Sequence, residues 1–180
     1  MQRESEGLPD GVLDELTGRV GRVLSPRPAG GGLRVALCCA RFNGAVTWRL
    51  LLGALEALDE CGVDRNDLTV AWAPGAFELP LLAQAAVGAG ADAVVCLGAV
   101  VRGETGHYDF VAGQCAEGIL RVQLDSGVPV AFGVLTTDTL DQALARSEPG
   151  ATNKGREAAT GAVEMARLLA AIGAVRTGGG

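Results

Sequence analysis

Blocks of apolar and polar residues alternate along the chain in a way that predicts strands and helices in turn. Four apolar runs have the length and the β-branched content of buried strands; they cover residues 33–40, 68–74, 91–101 and 128–137. Elsewhere apolar positions recur with helical spacing, at residues 45–61, 77–87, 109–125, 140–146 and 154–172. The sequence therefore predicts four strands, each followed by a helix, and a long additional helix at the end.

Residues at the predicted helix starts support these assignments. Pro80 falls in a first turn, where its missing N–H removes no hydrogen bond. Thr139 and Gln142 have the spacing of a capping box, and Asn153 stands where an N-cap is expected.

Strands that are apolar on both faces and alternate with helices indicate a parallel sheet covered on both sides by right-handed crossovers. The expected fold class is α/β: a three-layer sandwich with a four-stranded parallel, flavodoxin-like, doubly wound sheet. Ligands of such sheets bind beyond the carboxyl ends of the strands. The loops that follow the strands are therefore the expected place of any site.

The first 32 residues differ from the rest of the chain. They are polar, contain three of the seven prolines and end in the glycine run 30–32, which predicts a partly flexible N-terminal extension with a hinge. Its apolar residues recur at near-helical spacing, so a short amphipathic element docking on a neighbour is the alternative to a partly ordered tail. The α/β domain is expected at 33–173 and a glycine-rich tail at 174–180.

Composition and charge narrow the class of function. A net charge of −6, with 15 basic and 21 acidic residues and no basic run, argues against a nucleic-acid partner. No apolar stretch is long enough for a membrane span and the start lacks the apolar segment of a secretory signal, so we expect a cytoplasmic protein. Five cysteines without C-x-x-C spacing and a single histidine predict structural thiols and no metal site.

The loop at residues 101–109 has the features of an anion site. Gly103, Thr105 and Gly106 precede a predicted helix whose N-terminal N–H groups favour an anion such as phosphate. The glycine spacing matches neither the dinucleotide fingerprint nor the phosphate loop of nucleotide-binding proteins. His107 follows; it is either an acid–base group for a bound substrate or an exposed histidine without function.

Five further residues have two interpretations each. Glu78, directly after the second strand run, either accepts hydrogen bonds from a polyol or only complements the helix dipole. Phe42 and Phe132 either stack on a planar heterocycle or pack in the core. Arg146 and Lys154 stand at two neighbouring helix ends, where they either bind phosphate or are solvated charges.

Taken together, these segments resemble one family, 6,7-dimethyl-8-ribityllumazine synthase of riboflavin biosynthesis. The resemblance covers residues 33–173 and leaves out the N-terminal extension. It rests on five segments in the family's order and spacing: ARFN (40–43), PGAFELP (74–80), GAVVRGETGHYDFV (98–111), PVAFGVLTTDTLDQALAR (129–146) and NKG (153–155).

The resemblance implies how two substrates are bound. Phe42 is expected to stack on the pyrimidine of 5-amino-6-(D-ribitylamino)uracil, Phe132 to close the pocket and Lys154 to bind substrate. The ribityl chain is expected to contact Ala76, Phe77 and Glu78, and the pyrimidine Ala99, Val100 and Val101. The phosphate of 3,4-dihydroxy-2-butanone 4-phosphate is expected to contact Glu104, Thr105 and Arg146. His107 corresponds to the family's proton-transfer residue.

The implied reaction needs no cofactor. The 5-amino group of the uracil attacks the ketone to give an imine, phosphate is eliminated, and the ring closes with loss of water. The family forms pentamers in which Phe132, Arg146 and Lys154 of one subunit complete the neighbour's site, and some members build a sixty-subunit shell. The implied partners are therefore small-molecule substrates, other copies of the chain and riboflavin synthase.

Two other classes of function compete with this interpretation. One is a non-catalytic relative that binds flavin or lumazine or forms a cage. The other is a flavodoxin-type nucleotide-binding domain, which the missing glycine patterns disfavour.

Overall fold

A parallel four-stranded sheet forms the centre of the protein. The computed structural model describes residues 8–25 and 27–177. Its strands are β1 (Val35–Ala40), β2 (Leu68–Ala73), β3 (Ala93–Val101) and β4 (Val130–Thr137). Neighbouring strands pair in parallel in the order β2-β1-β3-β4. The chain thus runs outward from β1 to β2 and then returns past β1 to build β3 and β4, which confirms the predicted doubly wound sheet.

Helices cover the sheet from both sides. In chain order they are α1 (Val12–Thr17), α2 (Gly44–Glu60), α3 (Leu79–Gly88), α4 (His107–Ser126), α5 (Leu140–Arg146) and α6 (Lys154–Thr177). Helices α2, α5 and α6 enclose one core and α3 and α4 the other. Successive side chains of β1 enter opposite cores, since Leu37 belongs to the first and Cys38 to the second. The three-layer, flavodoxin-like sandwich is therefore confirmed.

The outer strand β2 differs from the expectation that every strand is covered on both faces. Val70 and Trp72 are 41% and 43% exposed, whereas β1 is buried throughout. The only strand beside β2 in the described part of the chain is β1. The apolar run predicted a strand correctly. It did not show that β2 is an edge strand, because valine and tryptophan are apolar residues whether they are buried or exposed.

Two helices extend beyond their predicted ends. Helix α4 begins at His107 rather than at residue 109, and α6 continues to Thr177 rather than ending near residue 172. The helix-period apolar pattern starts only after the first turn of α4, and no glycine or proline interrupts the chain between 174 and 177. Residues 174–177 of the expected tail are thus helical, and residues 178–180 lie outside the described part.

The capping box predicted for α5 forms with a one-residue offset. The Thr139 hydroxyl accepts a hydrogen bond from the Gln142 N–H at 3.2 Å, as predicted. The Gln142 side-chain oxygen, however, accepts from the N–H of Asp138 at 3.0 Å rather than from that of Thr139. Pro80 lies in the first turn of α3, also as predicted.

Asn153 caps α6 and joins it to α2. Its Oδ1 accepts hydrogen bonds from the N–H groups of Gly155 at 2.9 Å and Arg156 at 3.2 Å, which confirms the predicted N-cap. Its Nδ2 donates to three backbone carbonyls, those of Arg49, Ser147 and Glu148. Because this amide is buried, its many partners offset the loss of water around it.

The N-terminal extension is attached to the domain at its glycine run. Gly30 is buried, and its N–H donates to the Cys61 carbonyl at 2.6 Å. A Cβ at Gly30 would lie 2.2 Å from a methyl group of Val63. The glycine at this residue therefore serves close packing, and the hinge expected in the run 30–32 stays a prediction. Helix α1 has no buried residue, and residues 1–7 of the extension lie outside the described part.

The five cysteines are free thiols, and all but Cys61 are buried. Burial raises the pKa of the Cys39 and Cys115 thiols to about 12, so both remain protonated and pack as small apolar side chains. Over residues 8–25 and 27–177, no group of three His, Cys, Asp or Glu is placed to hold a metal ion. None of the helices in those ranges combines the length and apolar character that a bilayer crossing requires.

The close contact between α2 and α6 predicts an asymmetry between two glycines of α6. A Cβ at Gly155 would lie 2.0 Å from the Leu50 carbonyl oxygen, whereas one at Gly161 would meet nothing within 4 Å. We expect Gly155→Ala to lower the free energy of unfolding by about 3 kcal/mol through overpacking. Gly161→Ala should raise it by up to about 1 kcal/mol through helix propensity. Denaturant unfolding measures both, and equal effects would contradict the packing described here.

Candidate active site

A cleft of about 610 Å³ lies where the loops after β1, β2 and β3 meet. Strands β1 and β3 are the neighbours at which the strand order reverses, and open α/β sheets bind ligands beyond that point. Nine of the predicted site residues line this one cleft: Phe42, Ala76, Phe77, Glu78, Ala99, Val100, Val101, Thr105 and His107. The fold therefore brings residues from three separate loops to one place.

Asn43 fixes the loop after β1. Its backbone has φ 57°, the only positive value at a non-glycine residue in the described chain. Its Nδ2 donates to the Ala99 carbonyl at 2.8 Å and so ties this loop to β3. The preceding residue, Phe42, donates its N–H to the Pro74 carbonyl at 3.1 Å and keeps its ring 72% exposed. The ring is thus presented at the cleft rather than packed in the core.

Glu78 closes the turn after β2. Residues Ala76–Glu78 form a 3₁₀ turn, and Oε2 of Glu78 accepts a hydrogen bond from the Gly75 N–H at 3.0 Å. This bond is the only one the carboxylate makes within the described residues, so Oε1 remains available to a ligand hydroxyl. Glu78 can therefore stabilise the helix start through one carboxylate oxygen and accept a hydrogen bond from a polyol with the other.

His107 is the first residue of α4, so the imidazole stands at a helix N-terminus. Its backbone N–H points to the Thr105 hydroxyl at 3.4 Å. Thr105 and His107 both line the cleft, whereas Glu104 does not. N–H groups in the first turn of a helix have no partner within the helix and favour an anion. The arrangement places a proton-transfer group beside a potential anion site.

Arg102 is the cation nearest in sequence to this loop, but it is already paired. Its Nε donates to Asp138 at 2.9 Å and its Nη1 to Asp109 at 3.2 Å, and the guanidinium lies 4.0 Å from the Tyr108 ring centroid. The hydrogen bond to Asp138, followed by that to Asp109, raises the pKa of Arg102. The guanidinium thus keeps its charge, but two carboxylates offset it.

The other predicted cation sites lie elsewhere on the chain. Phe132, Arg146 and Lys154 line a second cavity of about 330 Å³ along β4 and α6. Nη1 of Arg146 donates to the Gln142 carbonyl at 3.0 Å, and Lys154 forms an ion pair with Glu157. No lysine or arginine is among the described residues that line the cleft of His107. Within one chain, the structure does not bring these three predicted residues to that cleft.

Seven lining residues were not among the predicted site residues, and three of these have a polar or aromatic side chain: Asn43, Tyr108 and Phe110. Asn43 stands inside the quoted ARFN segment, and its position just before a helix was the available signal, because asparagine tolerates left-handed backbone. Tyr108 and Phe110 also line the cleft, and the Phe110 ring is 71% exposed. Little in the sequence pointed to Phe110, because its side chain is seen to face the cleft only once α4 is placed in the fold.

A flavodoxin-like sheet with an open cleft at its switch point and an imidazole at a helix N-terminus defines an α/β protein with a small-molecule site. A family model described as 6,7-dimethyl-8-ribityllumazine synthase matches residues 32–170. The chain therefore belongs to the 6,7-dimethyl-8-ribityllumazine synthase family, which confirms the resemblance found in the sequence. This membership implies a transferase and supports a role in riboflavin biosynthesis.

The Asn43 bond predicts a measurable loss of stability. Asn43→Ala removes the donor to Ala99 and forces alanine into left-handed backbone, so the free energy of unfolding should fall by about 2 kcal/mol. Asn43→Gly removes only the hydrogen bond, and we expect about half that loss. Denaturant unfolding of both variants separates the two contributions. A glycine variant as unstable as the alanine variant would contradict the backbone contribution.

Proposed function

We propose that this protein is a 6,7-dimethyl-8-ribityllumazine synthase that condenses 5-amino-6-(D-ribitylamino)uracil with 3,4-dihydroxy-2-butanone 4-phosphate. The observation that carries the proposal is the cleft itself: an exposed aromatic ring, a carboxylate, a glycine-containing loop and the only histidine meet there, in a chain of this family. The products are the lumazine, phosphate and water.

The cleft suits the pyrimidine substrate. The exposed Phe42 ring can stack on the planar heterocycle, and backbone groups of 99–101 can contact its polar edge. The unused oxygen of Glu78 can accept a hydrogen bond from the ribityl hydroxyls, since the Gly75 N–H occupies only Oε2. Lining residues without charge dominate the rest of the cleft.

The phosphate substrate needs more than this cleft provides. Residues 104–105 and the N-terminus of α4 offer backbone N–H groups and a hydroxyl, but no described lysine or arginine lines the cleft. The second cavity contains Arg146, which has no carboxylate partner among the described residues, and Lys154, which pairs with Glu157. We therefore include in the proposal a homo-oligomer in which Phe132, Arg146 and Lys154 of one subunit complete the cleft of the next.

The chemistry requires positioning, anion binding and proton transfer. The 5-amino nitrogen attacks the ketone carbon, and loss of water gives an imine. A proton then leaves the neighbouring hydroxyl-bearing carbon while phosphate departs with the electrons of its C–O bond, which leaves an enol. The enol takes up a proton at its terminal carbon and becomes a ketone. Attack of the ribitylamino nitrogen on this ketone closes the ring with loss of water. Holding both substrates together contributes on the order of 7–11 kcal/mol to such a step, and His107 relays the protons.

Product formation tests the proposal directly. Purified protein supplied with both substrates should form the fluorescent lumazine and release one phosphate per turnover. A rate no higher than the uncatalysed background, with flavin or lumazine still bound, would instead indicate the non-catalytic relative. Sedimentation analysis of the same sample distinguishes a pentamer from a sixty-subunit shell, and a monomer would contradict the shared site.

Substitutions at the two cavities should affect different kinetic constants. His107→Ala should lower kcat by about a hundredfold and leave substrate binding intact, because it removes only proton transfer. Arg146→Ala should instead raise KM for the butanone phosphate by about thirtyfold, because a cation bound to phosphate is lost. Arg65→Ala, in an exposed turn just before β2 and so at the end of the strands opposite to the cleft, serves as the control and should change neither constant.

Subunit mixing tests whether neighbouring chains share a site. Co-expressed His107→Ala and Arg146→Ala chains in equal amounts should regain about a quarter of the wild-type activity, since a site escapes each substitution with a chance of one half. Each variant alone should remain nearly inactive at low substrate concentration. Activity no higher than the mean of the separate variants would place both residues in the site of one chain.

A further inference from the structure

The loop between β3 and α4, residues 102–106, carries Thr105 and leads directly into His107. Its two glycines, Gly103 and Gly106, have nothing within 4 Å of a Cβ position. The Thr105 hydroxyl bonds only to the His107 N–H, at 3.4 Å, within the described chain. Open surroundings and a single long side-chain bond do not hold a loop in one shape, so its geometry needs another restraint.

Arg102 joins this loop to two other elements. The Nε–Asp138 bond reaches the segment between β4 and α5, and the Nη1–Asp109 bond reaches the first turn of α4. The Arg102 backbone N–H adds a third tie, because it donates to the Thr137 carbonyl at 2.9 Å. Among side chains of residues 102–106 that the structure describes, Arg102 alone bonds to another strand's loop. The planar guanidinium presents N–H donors in fixed directions to both carboxylates, whereas the donors of a lysine ammonium have no such fixed arrangement.

The same guanidinium also orients a wall of the cleft. It lies 4.0 Å from the centroid of the Tyr108 ring, and Tyr108 lines the cleft beside His107. Arg102 thus contacts Tyr108 and Asp109, the two residues that follow His107 in the first turn of α4. Because Arg102 restrains these two residues, it also restrains the neighbouring backbone of His107, from which the imidazole projects.

Arg102 is not placed to act as the phosphate ligand. Its Nε and Nη1 face Asp138 and Asp109, and these carboxylates oppose the approach of an anion. It does not line the cleft. Its role therefore differs from the one proposed for Arg146.

We propose that Arg102 is a positioning residue, which holds loop 102–106 and the first turn of α4 so that Thr105 and His107 face the same bound substrate. The inference rests on the proposed function for its catalytic consequence, but the restraint itself is a property of this chain. Asp138, in the segment between β4 and α5, holds the guanidinium through a hydrogen bond. The guanidinium in turn contacts the ring of Tyr108, which lines the cleft.

Arg102→Gln tests the proposal in the full chain. Hydrogen–deuterium exchange of residues 102–109 should be about tenfold faster, because both side-chain ties of Arg102 are lost and only its backbone bond to Thr137 remains. We expect kcat to fall about tenfold and KM for the butanone phosphate to rise about fivefold, while KM for the ribitylaminouracil stays within about twofold. Asp138→Ala should change the same constants in the same direction but less, because Asp109 and Tyr108 still hold the guanidinium.

Arg34→Gln is the matched control. Arg34 pairs with Asp92 through its backbone N–H and its Nε. It stands just before β1, at the end of the strands opposite to the cleft. The Arg34→Gln variant should leave hydrogen–deuterium exchange in 102–109 and all kinetic constants unchanged. Its melting temperature should match that of Arg102→Gln within about 2 °C, because each variant loses an exposed ion pair.

Each outcome decides the proposal. Faster local exchange together with the kcat and KM changes supports it. Exchange as slow as in the control, or faster exchange with unaltered kinetics, overturns it, and a large fall in melting temperature with uniform loss of activity would show a merely structural role. If the wild-type protein forms no lumazine, the proposed function fails, and the exchange experiment alone decides whether Arg102 holds the loop.

Discussion

The reversal of strand order at β1 and β3 is the constraint on which the site depends. Because the chain leaves β1 in one direction and returns to build β3 and β4 in the other, the loops after these strands diverge and leave a cleft between them. The Asn43–Ala99 hydrogen bond spans the two strands at the base of this cleft. Phe42 and His107 reach a common space only because of that arrangement.

The scaffold and the site are stabilised in different ways. The contact of α2 with α6 is close, with Gly155 against the Leu50 backbone and Asn153 buried between carbonyls. The cleft is instead formed by exposed loops whose ties are single hydrogen bonds and exposed ion pairs, such as those of Arg102. The close packing of α2 against α6 therefore maintains the fold. The side chains of the cleft loops can vary without loss of that fold.

Within one chain, no positively charged lysine or arginine is among the described residues that line the cleft. An anion in the cleft would meet backbone N–H groups, the helix N-terminus and the imidazole, while Arg102 is offset by two carboxylates. The cavity along β4 contains Arg146 and Lys154 beside an exposed Phe132, and it also contains Glu157, which pairs with Lys154. In the proposed homo-oligomer, Arg146 of one chain supplies positive charge to the cleft of the next.

The sequence by itself determined the α/β class, the four parallel strands and most of the residues that line the cleft, because these follow from local hydrophobic periodicity and from motifs within single loops. The edge position of β2, the early start of α4 and the packing role of Gly30 were decided by tertiary structure. So were the Asn43 bond to β3, the pairing of Arg102 with Asp138 and the separation of Arg146 from the cleft. Each of these depends on contacts between residues far apart in the chain, and the spacing of residues along a sequence does not specify which loops meet.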